Sequence, residues 1–480
     1  MRKRIYILSI LIGYLVSLVF YPSAVNADTV VEKEAIDEYV MSYLERNGLP
    51  GAAIVIVKDG EVIYEKGYGH DSAGKALTEK SLMRIGSSSK PFTGFSVLQL
   101  VEKGKINLDD PVVKYLPELT MDDDRLDKIT IRHLLSHTSG IPNPTIIEPA
   151  NTIKEGIERV NSWKLQWEPG EKYYYSNANY WILARLVEVV SGMDFPEYLK
   201  EKIFIPLGMK DTLTTINSGD PVKGLSKGYI TAYGTALPWS ELEQMFAGAG
   251  GIISTASDIG KWLALHSNEG LMDNGERLIS KELLEESHSP QPGSPKYGLG
   301  WSLSSKEVKP PRISHSGALS TVQAQLDIVP SSGYAIGVLL NSFTTTIEHS
   351  YELSSGIIQL TEGRIPEDNS PMPRLIDMSL GLITVIYLIL GIRGVKRSRE
   401  WANRRMKYPA WRYYLRLLPQ VVPTVFIGWL FFVVPNLQNN SSTIKDAFGL
   451  WMALMVLLTI VFLIGVLVTA MRIYYRIKFK

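Results

Sequence analysis

The 480-residue chain has no cysteine. Disulfides, thiolate metal sites and cysteine nucleophiles are excluded at once. An exported protein that avoids thiol oxidation fits the same absence. The chain also lacks any bias of charge. Fifty Lys and Arg against 49 Asp and Glu leave a formal net charge of +1, so there is no electrostatic footprint for nucleic acid. No internal repeat or low-complexity tract is present, and the length allows a large core and more than one domain. His133 and His137 stand at i and i+4 like a helical metal pair, but leucines fill the gap where a zinc protease has its glutamate. Both read as helix and turn packing, and neither a metal nor a cofactor is expected.

Both ends of the chain carry membrane signals. Arg2, Lys3 and Arg4 precede an apolar run from Ile5 to Phe20, and Val25 and Ala27 suit cleavage before Asp28, the pattern of a secretory signal. Near the other end, Leu375–Ile392, Leu417–Val434 and Phe448–Met471 are three apolar runs long enough to span a bilayer. The loop between the first two is basic, with Arg393, Lys396, Arg397, Arg399, Arg404, Arg405 and Lys407, and Arg472, Arg476, Lys478 and Lys480 follow the third. Asn436–Ala447 carries a single lysine. The positive-inside rule then puts the basic loop and the C-terminus in the cytoplasm and everything before Leu375 outside. The expected division is a signal peptide over 1–27, an exported domain over 28–361, a linker over 362–374, and a membrane domain with three transmembrane helices over 375–480.

Ser-x-x-Lys is a short motif, and roughly two chance matches are expected at this length. Three occur: Ser72–Lys75, Ser87–Lys90 and Ser442–Lys445. Only the second opens a helix, with Phe92, Phe95, Val97, Leu98, Leu100 and Val101 at helical spacing. One turn separates serine from lysine, so an amine can reach the hydroxyl. A serine hydroxyl needs such a base, and lysine can serve once burial lowers its pKa. The helix N-terminus adds N–H groups beside a developing oxyanion.

The exported region has strands at both ends and helices between. A helix is expected over Glu32–Leu44, and a hairpin over Ala52–Val57 and Val62–Gly67 about Asp59-Gly60. Helices follow over Ile129–His137, Tyr180–Ser191, Ile252–His266 and Lys281–Ser287. Strands come next over Leu299–Leu303, Arg312–His315, Thr321–Val329 and Tyr334–Leu340, and a last helix over Ile347–Leu360. This order suits an α/β (α+β) fold: one antiparallel sheet built from both ends, helices on its faces, and an inserted helical subdomain. A cleft between the two would bind substrate.

Two further stretches could complete a site. Pro169 to Asn177 holds three consecutive tyrosines, Tyr173, Tyr174 and Tyr175. A tyrosine hydroxyl beside lysines could take or give a proton, and the amide of Asn177 could orient a carbonyl. Tyr173 and Tyr174 read as aromatic packing. Arg312 to Ala318 is a β run in which Gly317 allows close backbone approach. The Ala318 N–H could be an oxyanion donor beside that of Ser87, and His315 alone is more often structural than catalytic.

Ser87-x-x-Lys90, Tyr175-x-Asn177 and His315-x-Gly317, in this order, resemble the serine β-lactamase and penicillin-binding-protein superfamily, in its class C β-lactamase-like branch. The phrases His133–Gly140, Tyr175–Tyr180 and Ala249–Thr255 match as well, and the resemblance covers roughly 32–360. It implies a β-lactamase/transpeptidase-like fold and an acyl-enzyme on Ser87, with Lys90 and Tyr175 as base and proton relay. It also implies substrate contacts from Asn177, His315, Ser316 and Gly317 and an oxyanion hole from Ser87 and Ala318. Class C β-lactamases carry lysine where His315 stands, and histidine there is similar to D,D-carboxypeptidases, D-aminopeptidases and esterases. The expected protein is a membrane-tethered serine hydrolase facing a bacterial cell wall of Gram-positive type. Its expected partners are D-alanyl peptides or esters, β-lactams as acylating ligands, and the lipid bilayer. A β-lactamase or carboxylesterase, a penicillin-sensing receptor without turnover, and an inactive scaffold stay open.

Overall fold

The computed structural model describes residues 32–143, 148–272, 274–366, 371–434 and 451–479. The expected signal peptide, Ser442–Lys445 and the Asn436–Ala447 loop lie outside these residues. The chain begins with helix α1 (Lys33–Asn47), followed by strands β1 (Gly51–Lys58) and β2 (Glu61–Gly69). Asp59 and Gly60 turn between the strands with φ of 49° and 82°, the left-handed pair that the Asp-Gly signal predicts.

Strand β3 (Met83–Arg84) and a 3₁₀ turn (Gly86–Ser89) lead into α2 (Lys90–Glu102). The helical middle includes Ile131–Leu135 and α3 (Asn177–Ser191). Then come β4 (Leu213–Thr214), the hairpin β5 (Gly228–Ala232) and β6 (Thr235–Trp239), β7 (Ile252–Ser254) and α4 (Ala256–Ser267). Strands β8 (Ser302–Leu303), β9 (Ile313–Ala318), β10 (Gln323–Val329), β11 (Tyr334–Leu340) and β12 (Ser342–Phe343) precede α5 (His349–Thr361). The apolar helices α6 (Met372–Lys396), α7 (Leu418–Phe432) and α8 (Met452–Lys478) follow.

The main sheet has six strands in the order β2-β1-β11-β10-β9-β8. Every pairing in it is antiparallel, so the two ends of the region do build one sheet. Strand β1 is apolar without interruption because helices cover both of its faces. Alternate side chains divide between two cores. Ala53, Val55 and Val57 join Ile259 and Leu263 of α4, whereas Ile54 and Ile56 join Ile36 and Val40 of α1 and Leu353 and Ile357 of α5.

Three expectations change. Ile252–Ser254 is a strand and not the start of a helix, because Thr255 caps α4 by accepting from the Asp258 N–H. Helix α2 is buried from Lys90 to Leu100 on all sides, a central helix and not an amphipathic one. Its polar residues turn inward to partners, as when Thr93 Oγ1 donates to Gly248 O at 2.7 Å. Finally, of three expected spans, two helices among the described residues are long and apolar enough to cross a membrane: α6 and α8, with mean hydropathy 2.2 and 2.9. The middle run yields the 15-residue α7, roughly 22 Å at 1.5 Å per residue, against a hydrocarbon core of about 30 Å.

Candidate active site

Ser87 sits in the 3₁₀ turn, and the α-helix starts only at Lys90. The neighbouring serines fasten this turn. Ser88 Oγ donates to His315 O at 3.0 Å, and Ser89 Oγ accepts from Ile252 N at 3.1 Å. Strand β9 runs so close that a Cβ on Gly317 would lie 1.9 Å from Ile85 O. Only glycine fits there, as the sequence suggested.

Lys90 is fully buried. Its Nζ lies 2.9 Å from Ser87 Oγ, 2.8 Å from Asn177 Oδ1 and 2.8 Å from Ala249 O. Among the described residues no carboxylate pairs with it, and burial holds its pKa well below the ordinary lysine range. Two of its neighbours are carbonyl oxygens, which only accept. A neutral amine gives them its two N–H groups and is left with one lone pair, directed at Ser87 Oγ. That amine can take the hydroxyl proton.

Tyr175 OH donates to Ser87 Oγ at 2.8 Å. Burial raises its pKa above the usual phenol range, so at rest it keeps its proton and acts as donor. Asn177 opens α3, its N–H bonded to Asn143 Oδ1 at 2.9 Å. The Ser-x-x-Lys and Tyr-x-Asn motifs, far apart in sequence, therefore meet around one hydroxyl.

The oxyanion candidates follow from strand register. Leu319 N–H donates to Val322 O at 3.1 Å across the β9–β10 turn. Antiparallel rungs alternate, so Ala318, opposite Gln323, falls on a rung without ladder bonds to β10, and its N–H faces outward. The Ala318 nitrogen would lie 3.1 Å from a Cβ placed on Gly86, beside the serine turn. Strand β8 pairs only with Ile313 and Ser314, leaving the edge at Ser316 to Ala318 open for an extended substrate.

His315 is brought to the site, but its ring is turned into the wall. It is 3% exposed, with Nδ1 2.7 Å from Ser316 O and Nε2 2.9 Å from Tyr297 OH. Burial, with Lys90 nearby, pushes its pKa down to about 3, so the ring is neutral and both nitrogens are occupied. Arg312, just before β9, is buried too: its Nη1 donates to Ser355 Oγ at 3.1 Å and lies 3.7 Å from Asp327 Oδ2.

His137, read from the sequence as turn packing, packs directly behind the site. It is wholly buried with φ of 57°. Its Nδ1 accepts from Ser176 N at 3.2 Å and Asn179 Nδ2 at 3.0 Å, and its ring packs 4.4 Å from that of Tyr175. It thus holds the Tyr175–Asn177 segment from behind, and Tyr297 and Tyr180 pack around it. Tyr173 leans on His137 and Tyr297 as packing requires, though it is 39% exposed. Ser72–Lys75 lies in an exposed loop with no helix.

The sequence profile of the Beta-lactamase family matches residues 36–352. The chain belongs to the beta-lactamase family. Among relatives of this family, it is 28% identical over 323 residues to Protein flp of Staphylococcus aureus strain MW2, covering 64% of this chain and 63% of the relative. It thus spans less than two thirds of that relative's length. Penicillin-binding protein 4 of Amycolatopsis lactamdurans is 27% identical over 351 residues, 69% of this chain and 91% of the relative. A solved structure, the octameric penicillin-binding protein homologue from Pyrococcus abyssi, superposes with a TM-score of 0.59 at 26% identity, covering 73% of this chain and 81% of that one. A D-stereospecific amidohydrolase from Streptomyces sp. shares the fold, with a TM-score of 0.54 at 24% identity, over 65% of this chain and 94% of its own. The mixed architecture of antiparallel sheet and helices is that of the beta-lactamase family.

Proposed function

We propose that the chain is an exported, membrane-anchored serine hydrolase that forms an acyl-enzyme on Ser87, acting on D-alanyl peptides or esters of the cell envelope. The observation that carries this is Lys90, buried without a carboxylate, its Nζ 2.9 Å from Ser87 Oγ. In the proposed reaction Lys90 takes the Ser87 proton as Oγ attacks the carbonyl carbon. The N–H groups of Ser87 and Ala318 receive the oxyanion. Tyr175 gives its proton to the leaving group and regains one from Lys90, which holds the proton that Ser87 lost, while Asn177 holds the Lys90 amine and the substrate amide. Water then attacks the ester by the same path in reverse. The neutral, occupied His315 and the buried Arg312 offer no cation to a substrate carboxylate, which favours D-alanyl esters without a free carboxylate over β-lactams and over peptides ending in a free D-alanine carboxylate alike.

Initial-rate and burst kinetics with a D-alanyl ester, a simple aryl ester and a chromogenic β-lactam test this reading. Steady turnover of the D-alanyl ester is expected, with a slower or stoichiometric reaction of the β-lactam. Preference for the aryl ester would indicate a carboxylesterase, fast β-lactam turnover a β-lactamase, and a single burst with every substrate a receptor.

For the membrane part, we infer a signal peptide over 1–27, the hydrolase over 28–361, a linker over 362–374 and a membrane domain over 375–480, with the hydrolase outside. The apolar faces of α6 and α8 support it: Leu382, Val385, Leu390, Leu463 and Leu467 are exposed, as lipid-facing residues would be. A reporter fused in the basic stretch 393–407, at the end of α6 and beyond it, should be active only in the cytoplasm; activity only outside contradicts this topology.

A further inference from the structure

Ser320 and Thr321 form the turn between β9 and β10, just beyond Ala318. One carboxylate takes all four polar hydrogens of these two residues. Glu241 accepts from Ser320 N at 2.8 Å, Thr321 N at 3.2 Å, Thr321 Oγ1 at 2.7 Å and, at short range, Ser320 Oγ. Leu242 N–H donates to Ser320 Oγ at 3.0 Å, and Tyr229 N–H donates to Thr321 O at 3.1 Å. Both turn residues are buried. The clamp therefore comes from one hairpin, β5–β6: Tyr229 lies in β5 and Glu241 just past the end of β6. Charge-assisted bonds to a carboxylate make this a stiff attachment.

The opposite end of the same hairpin touches α6. Its tip is Tyr233-Gly234, with φ of 58° and 79°. Gly234 N–H donates to Asp377 Oδ2 at 3.0 Å, and Arg374 Nε donates to Gly234 O at 3.0 Å. Arg374 Nη1 also reaches Glu45 O and Arg46 O, at 3.1 and 2.9 Å, at the end of α1. Arg374 thus pins the hairpin tip to both the first apolar helix and the catalytic domain.

We propose that Glu241 positions the oxyanion donor Ala318, and that its hairpin takes its own place from Arg374 and Asp377, so that the start of the membrane segment sets the catalytic geometry. This rests on the assignment of Ser87 and Ala318 above. An oxyanion donor works only within hydrogen-bond reach of the developing charge, and a misplacement of about 1 Å can cost on the order of a hundredfold. Glu241 is a positioning residue: it acts through the Ser320–Thr321 turn and does not touch substrate.

The test uses the full chain in detergent micelles, with kcat and KM for a chromogenic ester and the rate of Ser87 labelling by a fluorophosphonate. Glu241→Ala should lower kcat about tenfold to a hundredfold with KM within about twofold. Glu241→Gln, which keeps an acceptor oxygen for the Ser320 N–H, should recover part of the loss. Arg374→Ala should lower kcat about threefold to tenfold, and the double variant should be no worse than Glu241→Ala alone, because both act through one element. If Glu241→Ala does not fold, Glu241→Gln carries the test, with kcat expected at least about threefold down at constant KM. Unchanged kcat in the Glu241 variants, or losses that multiply in the double variant, overturn the proposal. A wild-type Ser87 that is never labelled defeats the hydrolase reading and this inference together; a labelled Ser87 with indifferent variants defeats this inference alone.

Discussion

Ser87→Ala should abolish turnover of every ester and amide the chain accepts, to the level of the uncatalysed reaction plus a residue from binding and oxyanion contacts. The adjacent serines cannot take over. Ser88 Oγ is committed to His315 O and Ser89 Oγ to the Ile252 N–H, and both side chains are buried, at 0% and 1% exposure. Neither hydroxyl is among the partners of Lys90 Nζ, which are Ser87, Asn177 and Ala249. The fold should survive, since the Ser87 side chain contributes no apolar packing. Ester turnover within about tenfold of wild type in purified Ser87→Ala would place the nucleophile elsewhere.

Lys90→Ala should slow acylation of Ser87 by about 10²- to 10⁴-fold, the usual contribution of a positioned general base. The change also leaves Asn177 Oδ1 and Ala249 O without their shared donor, so some loss of melting temperature is expected too. A pH profile separates the two effects. Lys90 must be neutral to accept the proton, and its pKa is lowered by burial. Acylation in the wild type should therefore rise with pH as Lys90 deprotonates, well below the pH at which an ordinary lysine would do so, and then level off. His315, at about 3, is already neutral through that range and adds no limb. The rise should be absent in Lys90→Ala. A variant that is slow yet keeps the same rise would show that another group is the base. Tyr175→Phe should keep the rise but lower the plateau, because it removes a proton donor and not the base.

Much of this site was legible in the chain because local chemistry demanded it. Ser87 and Lys90 stand one turn apart, Asp59-Gly60 is a turn in any context, and Gly317 marks a place where backbone must approach. What stayed hidden depended on tertiary contact. The β5–β6 hairpin turns at Tyr233, a bulky residue at φ of 58° where sequence rules look for glycine or asparagine. Pro238 inside β6 further argues against a strand. Ile252–Ser254 ran on into a helix because a short apolar stretch has no period of its own. The ring of His315 was expected to meet substrate, but only the packing of Tyr297 against it reveals that it faces inward.

Peptide mapping of the wild-type chain after brief exposure to a fluorophosphonate or a labelled penicillin tests the acyl-serine mechanism most directly. One adduct per chain, on Ser87, is the predicted result. An adduct on Ser72, Ser88 or Ser89, or a chain that stays unmodified while it turns over ester, would contradict it.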